Sequence, residues 1–196
     1  MPSFIPQRAL FQKSPALMSS TQPDTIVYVT TEFEIRYTVR VLLVDHLDRL
    51  LLFHGQDPAN LSDVFWCPVG GGVETGESPE QAAMREVREG TGLSNLELGP
   101  HIWNGQEKYN FNGTKRHAIE TWFFARVAHL EIDTSGFSEI ELKSFIEYRW
   151  WTQAELSTTS ETLTPRRLAS LFHDLLLNGT PKVPIELGLE DHSRHG

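Results

Sequence analysis

Residues 70–93 constrain this chain more than any other stretch. Three glycines, Gly70, Gly71 and Gly72, lead into Ser78-Pro79-Glu80-Gln81 and then a run rich in alanine, arginine and glutamate. Ser78 is a good helix N-cap, Pro79 has the backbone angle of a first helical residue, and Gln81 sits where it closes a capping box. Ala82, Ala83, Met84, Arg85 and Glu86 are strong helix formers. Gly92 suits the left-handed residue that ends a helix, and Gly90 offers an earlier stop. The spacing predicts a short helix from Pro79 to about Gly92. Glu86 and Glu89, three apart, share one face of it. Ala83 and Val87, four apart, share another that can pack inward. The triple glycine ahead of the helix reads as irregular loop.

Around this segment, strand-sized apolar runs alternate with polar turns. Residues 25–31 are rich in β-branched side chains, and 35–44 with 49–54 read as a hairpin. Residues 57–63 read as a polar loop. Strand candidates follow at 96–103 and 118–127, with a turn at 110–114 between them. Residues 136–143 read as a loop, 145–152 as a last strand and 153–156 as a helical turn. A second helix is predicted from Thr164 as N-cap and Pro165 to Asn178. Leu168, Leu171, Phe172, Leu175 and Leu176 form its apolar stripe, and Gly179 and Pro181 end it. This mixed order predicts an α+β fold, an α/β/α sandwich around a mixed β-sheet. The expected layout is a disordered tail over residues 1–25, one domain over 26–180 and a C-terminal tail over 181–196. Met18 is an alternative start.

Charge and cysteine content narrow the function. The net charge is −9, with a sequence pI near 5.3. A nucleic-acid polymer or an acidic membrane would be repelled on average. A small anionic substrate is compatible if cations in the site screen it. Cys67 is the single cysteine, so an intramolecular disulfide and paired-cysteine zinc sites are excluded. It lies in an apolar run and reads as a small buried hydrophobe. No apolar stretch approaches the ~20 residues of a membrane span, and the cytoplasm is the expected compartment.

Gly71, Glu77, Arg85, Glu86, Val87, Glu89, Gly92 and Leu93 fall at the spacing of the Nudix box, and in this segment the chain resembles the Nudix hydrolase family. The stretch Ile146-Glu147-Tyr148-Arg149-Trp150-Trp151-Thr152-Gln153-Ala154-Glu155-Leu156 also looks like the closing strand and helix start of many bacterial Nudix domains. The resemblance implies a Nudix-type sandwich and hydrolysis of a diphosphate linkage with Mg²⁺, or Mn²⁺ in its place. It implies that Glu86 and Glu89 bind the ion, with a backbone carbonyl from Gly71 or Gly70, and that Glu77 pairs with Arg85 to brace the loop. The chemistry suits these residues. Hard divalent ions take carboxylate and carbonyl oxygen, and they neutralise phosphate charge and activate water.

One position departs from the family pattern. Gly90 stands where a second glutamate, usually a metal ligand, follows Glu89. Three accounts remain open: another carboxylate completes the site, the chain is a weakened relative that binds nucleotides without cutting them, or Gly90 is an accidental or engineered change. Glu74, Glu107, Glu120, Glu139 and Glu141 are the candidates for compensation. Glu120 comes first, because it interrupts an apolar strand where a core would not choose a carboxylate. Arg40, Lys115 and Arg116 are candidate phosphate contacts. Tyr109, 16 residues past Leu93, is a candidate base contact. The expected function is a Mg²⁺-dependent Nudix pyrophosphohydrolase acting on a nucleoside diphosphate linked to another moiety. The alternative is a Nudix-fold nucleotide-binding module. The expected partner is a small nucleotide, with no nucleic-acid polymer and no membrane, and a homodimer is compatible.

Overall fold

In the computed structural model, which describes residues 32–128 and 131–192, strand β1 (Glu34–Val44) runs through the middle of one mixed sheet. Val39, Val41 and Leu43 face one side of it, and Leu42 and Val44 face the other; all five are fully buried. Burial on both faces explains why this strand reads as a nearly continuous apolar run.

The sheet order is β3 (Asn60–Cys67), β2 (Leu50–Asp57), β1, β6 (Thr114–Arg126), β5 (His101–Phe111) and β8 (Ile185–Asp191). β1 and β6 are parallel, in register from Glu34–Arg116 to Val44–Arg126. β4 (Val69–Gly72) pairs antiparallel with β1, and β7 (Phe145–Trp151) pairs with β2. The sheet is curled, and two of its hairpin turns meet: the Asn112 amide in the β5–β6 turn donates to Asp57 Oδ1 at the end of β2, at 2.7 Å.

Helix α1 (Pro79–Thr91) covers one face. Its Ala82, Ala83 and Val87 pack on Val39, Val41, Leu43, Val69 and Phe123. Helices α3 (Gln153–Thr158) and α4 (Leu168–Asn178) cover the other. There Leu156, Leu168 and Phe172 meet Leu42, Trp66, Trp103, Trp122 and Trp151. This is the α/β/α sandwich expected from the sequence. The Ser78 capping box and the left-handed Gly92, at φ 75°, delimit α1 as its local signals predict.

Several expectations are corrected. Gly70–Gly72 is strand, not irregular loop. A Cβ at Gly70 would come within 2.0 Å of the Val39 carbonyl oxygen, so glycine is there for close strand approach. Residues 60–63 belong to β3; they are polar because that edge is solvated. The strand expected at 96–103 begins at His101 and runs to Phe111. The loop expected at 136–143 contains α2 (Glu139–Ser144), which opens with a second capping box at Ser138. The second long helix begins at Leu168 with Arg167 as its N-cap residue, not at Thr164. The segment read as a C-terminal tail supplies β8, a parallel partner of β5. The strand expected at 25–31 and the tail over 1–25 lie outside the described residues. Among the described residues no helix is long and apolar enough to cross a membrane.

Candidate active site

Burial of Ala82, Ala83 and Val87 fixes the roll of α1 and turns Arg85, Glu86 and Glu89 toward the β4–α1 loop. Arg85 is the hub. Its Nε and Nη2 donate to the two carboxylate oxygens of Glu77, each at 2.9 Å. Nη2 also donates to the Gly72 carbonyl at 2.7 Å, and Nη1 to Glu86 at 2.8 Å and Glu89 at 3.2 Å. Bidentate charge-assisted bonds of this kind hold a planar geometry firmly. Glu77 in turn accepts from the Glu74 amide at 3.0 Å, which closes the loop. These bonds, Arg85 foremost, hold the Glu77 carboxyl below its ordinary range.

Glu86 is nearly buried, while the Glu89 side chain is 40% exposed. Burial pushes the Glu86 carboxyl above its ordinary range. Arg85 opposes this, and the nearby charges of Glu141 and Glu89 add to it. The Gly71 backbone lies close against this carboxylate, and a Cβ on it would come within 2.3 Å of Glu86 Oε1 and displace it. Gly90, one turn beyond Glu86, is buried within α1, and a Cβ there would meet Val69 Cγ2 at 2.9 Å. The space for a side chain at position 90 is thus taken by Val69.

The donor set fits a hard divalent cation. Glu86 and Glu89 converge on one guanidinium nitrogen, and the Gly71 backbone lies against Glu86. Among the described residues no three His, Cys, Asp or Glu side chains close a full metal cage. Mg²⁺ commonly takes one or two carboxylates and leaves its other positions to water and substrate phosphate.

The family model of the NUDIX domain matches residues 34–173. The chain belongs to the Nudix hydrolase family. This Nudix domain is 29% identical over 122 residues to the "RNA pyrophosphohydrolase" of Wolbachia sp. subsp. Drosophila simulans (strain wRi), covering 52% of this chain and 70% of that one. The MutT protein from Methanosarcina mazei Go1 has a similar solved structure, with TM-score 0.54 and 21% identity, over 74% of this chain and 96% of that one. The E. coli dihydroneopterin triphosphate pyrophosphohydrolase is similar at TM-score 0.52 and 22% identity, over 72% and 95%. At such identities the two structures bear on the fold alone.

The remaining candidates of the Nudix domain divide between two places. Tyr109 and Lys115 line one groove of about 370 Å³ with Asp57, Asn60, Asp63 and His192, at the mouth of the curled sheet. Arg116 lies instead over the Phe111 ring, at 5.5 Å. Glu120, expected to complete the metal site, is not brought to Glu86 and Glu89. It shares the Trp122 face of β6, away from α1, where it accepts from Arg40 Nε at 3.2 Å and Trp122 Nε1 at 3.1 Å. Glu120 does interrupt an apolar strand for a reason, but the reason is Arg40, 80 residues earlier in the chain. Cys67 is half-buried, and burial pushes its thiol up, away from a reactive thiolate.

Sequence reasoning placed Glu107 among the candidates behind Glu120, yet it is the most perturbed carboxyl among the described residues. Burial, and then the charge of Glu120, push it up from the ordinary 4.5 to about 8, with Arg40 opposing and Glu190 adding. The folded protein therefore keeps a proton on Glu107 that the unfolded chain releases. Folding stability falls as pH rises from about 4.5 and levels off above about 8. Glu107→Gln should remove that loss. At pH 9 its unfolding free energy, read from urea titration, should exceed that of the wild type by on the order of a few kcal/mol, and the gap should close toward pH 4–5. A gap that stays constant with pH contradicts this account of Glu107.

Proposed function

We propose that this Nudix domain is a Mg²⁺-dependent pyrophosphohydrolase that cleaves a diphosphate linkage in a nucleoside diphosphate joined to another moiety. The observation that carries the reading is the Arg85 fork, which holds Glu77, Glu86, Glu89 and the Gly72 carbonyl in one constellation. Glu86 and Glu89, with the backbone at Gly71, would hold the ion. When bound, it supplies neutralising charge for the phosphate oxygens and lowers the proton affinity of the attacking water. Arg85 positions both carboxylates, and Glu77 with the Glu74 amide keeps the loop from drifting. Such outer contacts typically tune metal sites by 10- to 100-fold.

Glu141 is our candidate for the carboxylate missing at position 90. It is near enough to Glu86 to raise its proton affinity. Its side chain otherwise caps α2 at Ser138, an exposed contact that a ligand can replace. Tyr109 and Lys115 in the mouth groove are candidates for the nucleoside end of the substrate, and Arg116 is a candidate phosphate contact beside them. Arg40 is a candidate phosphate contact on the other face. The Wolbachia relative is named for RNA and the E. coli neighbour for dihydroneopterin triphosphate. A net charge of −9 favours a small nucleotide over a long polyanion. The single thiol and the absence of a long apolar helix among the described residues are consistent with action in the cytoplasm.

The test is turnover across nucleoside triphosphates, ADP-ribose and dinucleoside polyphosphates, with and without Mg²⁺. The expected result is Mg²⁺-dependent release of phosphate or nucleotide from at least one of them. A folded protein that turns over none contradicts the proposal. In that case the second reading, a nucleotide-binding module, takes its place; the occupied space at Gly90 is the observation that favours it.

A further inference from the structure

Strands place alternate side chains on one face. On β1 this puts Arg36, Thr38 and Arg40 in a row on the face away from α1, alternating with the Val39 and Val41 that pack beneath the helix. Each of the three keeps hydrogen-bonding capacity that no partner among the described residues uses. Arg36 is half-buried beneath Gly72, close enough that a Cβ there would come within 2.7 Å of Nη2, and among the described residues no carboxylate pairs with it. Thr38 is 3% exposed, and its hydroxyl has no hydrogen-bond partner among them. Arg40 commits only Nε, to Glu120. A buried hydroxyl left unpaired costs stability, so a site that keeps one invites a ligand to satisfy it.

Charge divides the two faces in the same way. On the α1 side, three carboxylates, Glu77, Glu86 and Glu89, surround one guanidinium, an excess of negative charge suited to a cation. On the far side, two guanidiniums, Arg36 and Arg40, stand in the same row, and Arg40 donates to Glu120. The wall between the faces is thin. The Gly72 carbonyl bonds Arg85 at 2.7 Å, and the same residue lies against Arg36.

We propose that Arg36, Thr38 and Arg40 form an anion subsite that holds a phosphate group of the substrate on the sheet face opposite the carboxylates of α1. This deepens the hydrolase reading and rests on it. Arg36 and Arg40 supply charge and multiple N–H donors, and Thr38 supplies a hydroxyl between them. Glu120 holds Arg40 in place. Arg36 and Thr38 are binding residues that touch the phosphate, and Glu120 is a positioning residue that acts through Arg40.

The test uses the full chain and inorganic pyrophosphate as the probe. Calorimetry with a chelator present reads anion binding without metal. Arg36→Gln should weaken pyrophosphate binding at least about 10-fold, with Arg36→Lys recovering part of the loss. Thr38→Val should weaken binding several-fold while raising the melting temperature, because it deletes an orphaned hydroxyl at nearly constant volume. A merely structural Thr38 would not show that opposed pair of changes. With Mg²⁺ and a turned-over substrate, Arg36→Gln should raise KM about 10-fold or more at a kcat within about twofold of wild type. Pyrophosphate affinity and KM both within twofold of wild type in Arg36→Gln would overturn the subsite. Wild-type protein that binds pyrophosphate through Arg36, yet hydrolyses no substrate, would support the subsite and count against the hydrolase reading alone.

Discussion

Glu86→Gln is expected to lower kcat/KM by more than about 100-fold while leaving the fold at least as stable as before. The two halves of this expectation have one cause. Glu86 is nearly buried, pressed against Gly71 and short of solvent, and burial raises its proton affinity. A carboxylate kept in such a place costs stability. Glutamine retains the shape and one acceptor for Arg85 Nη1 but has no charge to offer a cation. The rate loss should exceed the 10- to 100-fold typical of residues one step removed from a metal, since Glu86 is proposed to hold the ion itself. Steady-state kinetics and a melting curve on the same preparation check both halves. Lost activity together with a lower melting temperature would mean that Glu86 is structural.

The second large effect concerns Gly90. Writing the family's glutamate back at this position looks like a repair, and the structure predicts that it is not one. A Cβ at residue 90 would sit 2.9 Å from Val69 Cγ2, with Phe137 at 4.0 Å behind it. Replacing a helical glycine gains about 1 kcal/mol of helix propensity. Overpacking a filled site typically costs about 1–3 kcal/mol. Gly90→Glu alone should therefore melt at a lower temperature and gain no activity. Val69→Ala combined with Gly90→Glu should recover stability and bind Mg²⁺ about 10-fold more tightly than wild type. The pair should be coupled in a double-mutant cycle, because the two residues touch. A Gly90→Glu protein with wild-type stability and raised turnover would show that Val69 yields freely.

Local signals were legible in the sequence, and signals that depend on distant partners were not. The limits of α1 could be read because Ser78, Gln81 and Gly92 act within one turn of the helix they cap. The centre of β1 could be read because burial on both faces leaves an apolar run. Gly70–Gly72 misled, because what demands glycine at position 70 is the Val39 backbone carbonyl, brought in by folding, while the Glu86 carboxylate and the Arg36 guanidinium crowd its two neighbours. β8 and α2 carry exposed side chains at the edge of the molecule, so no periodicity marks them. In the site, the box residues came together as their spacing implied. Glu120 was noticed for a sound reason and attached to the wrong neighbour, since its pairing with Arg40 exists only across two parallel strands. Arg36 went unremarked because an arginine in a strand is ordinarily solvated, and only its place beneath Gly72 sets it apart.

The central claim is that the carboxylates of α1 hold a divalent cation. Titrating Mn²⁺ into the wild type and into a Glu86→Gln/Glu89→Gln protein by calorimetry tests it most directly. The account predicts binding to the wild type that the double variant loses, with melting curves showing that the variant remains folded. Equal Mn²⁺ affinity in the two proteins would contradict it.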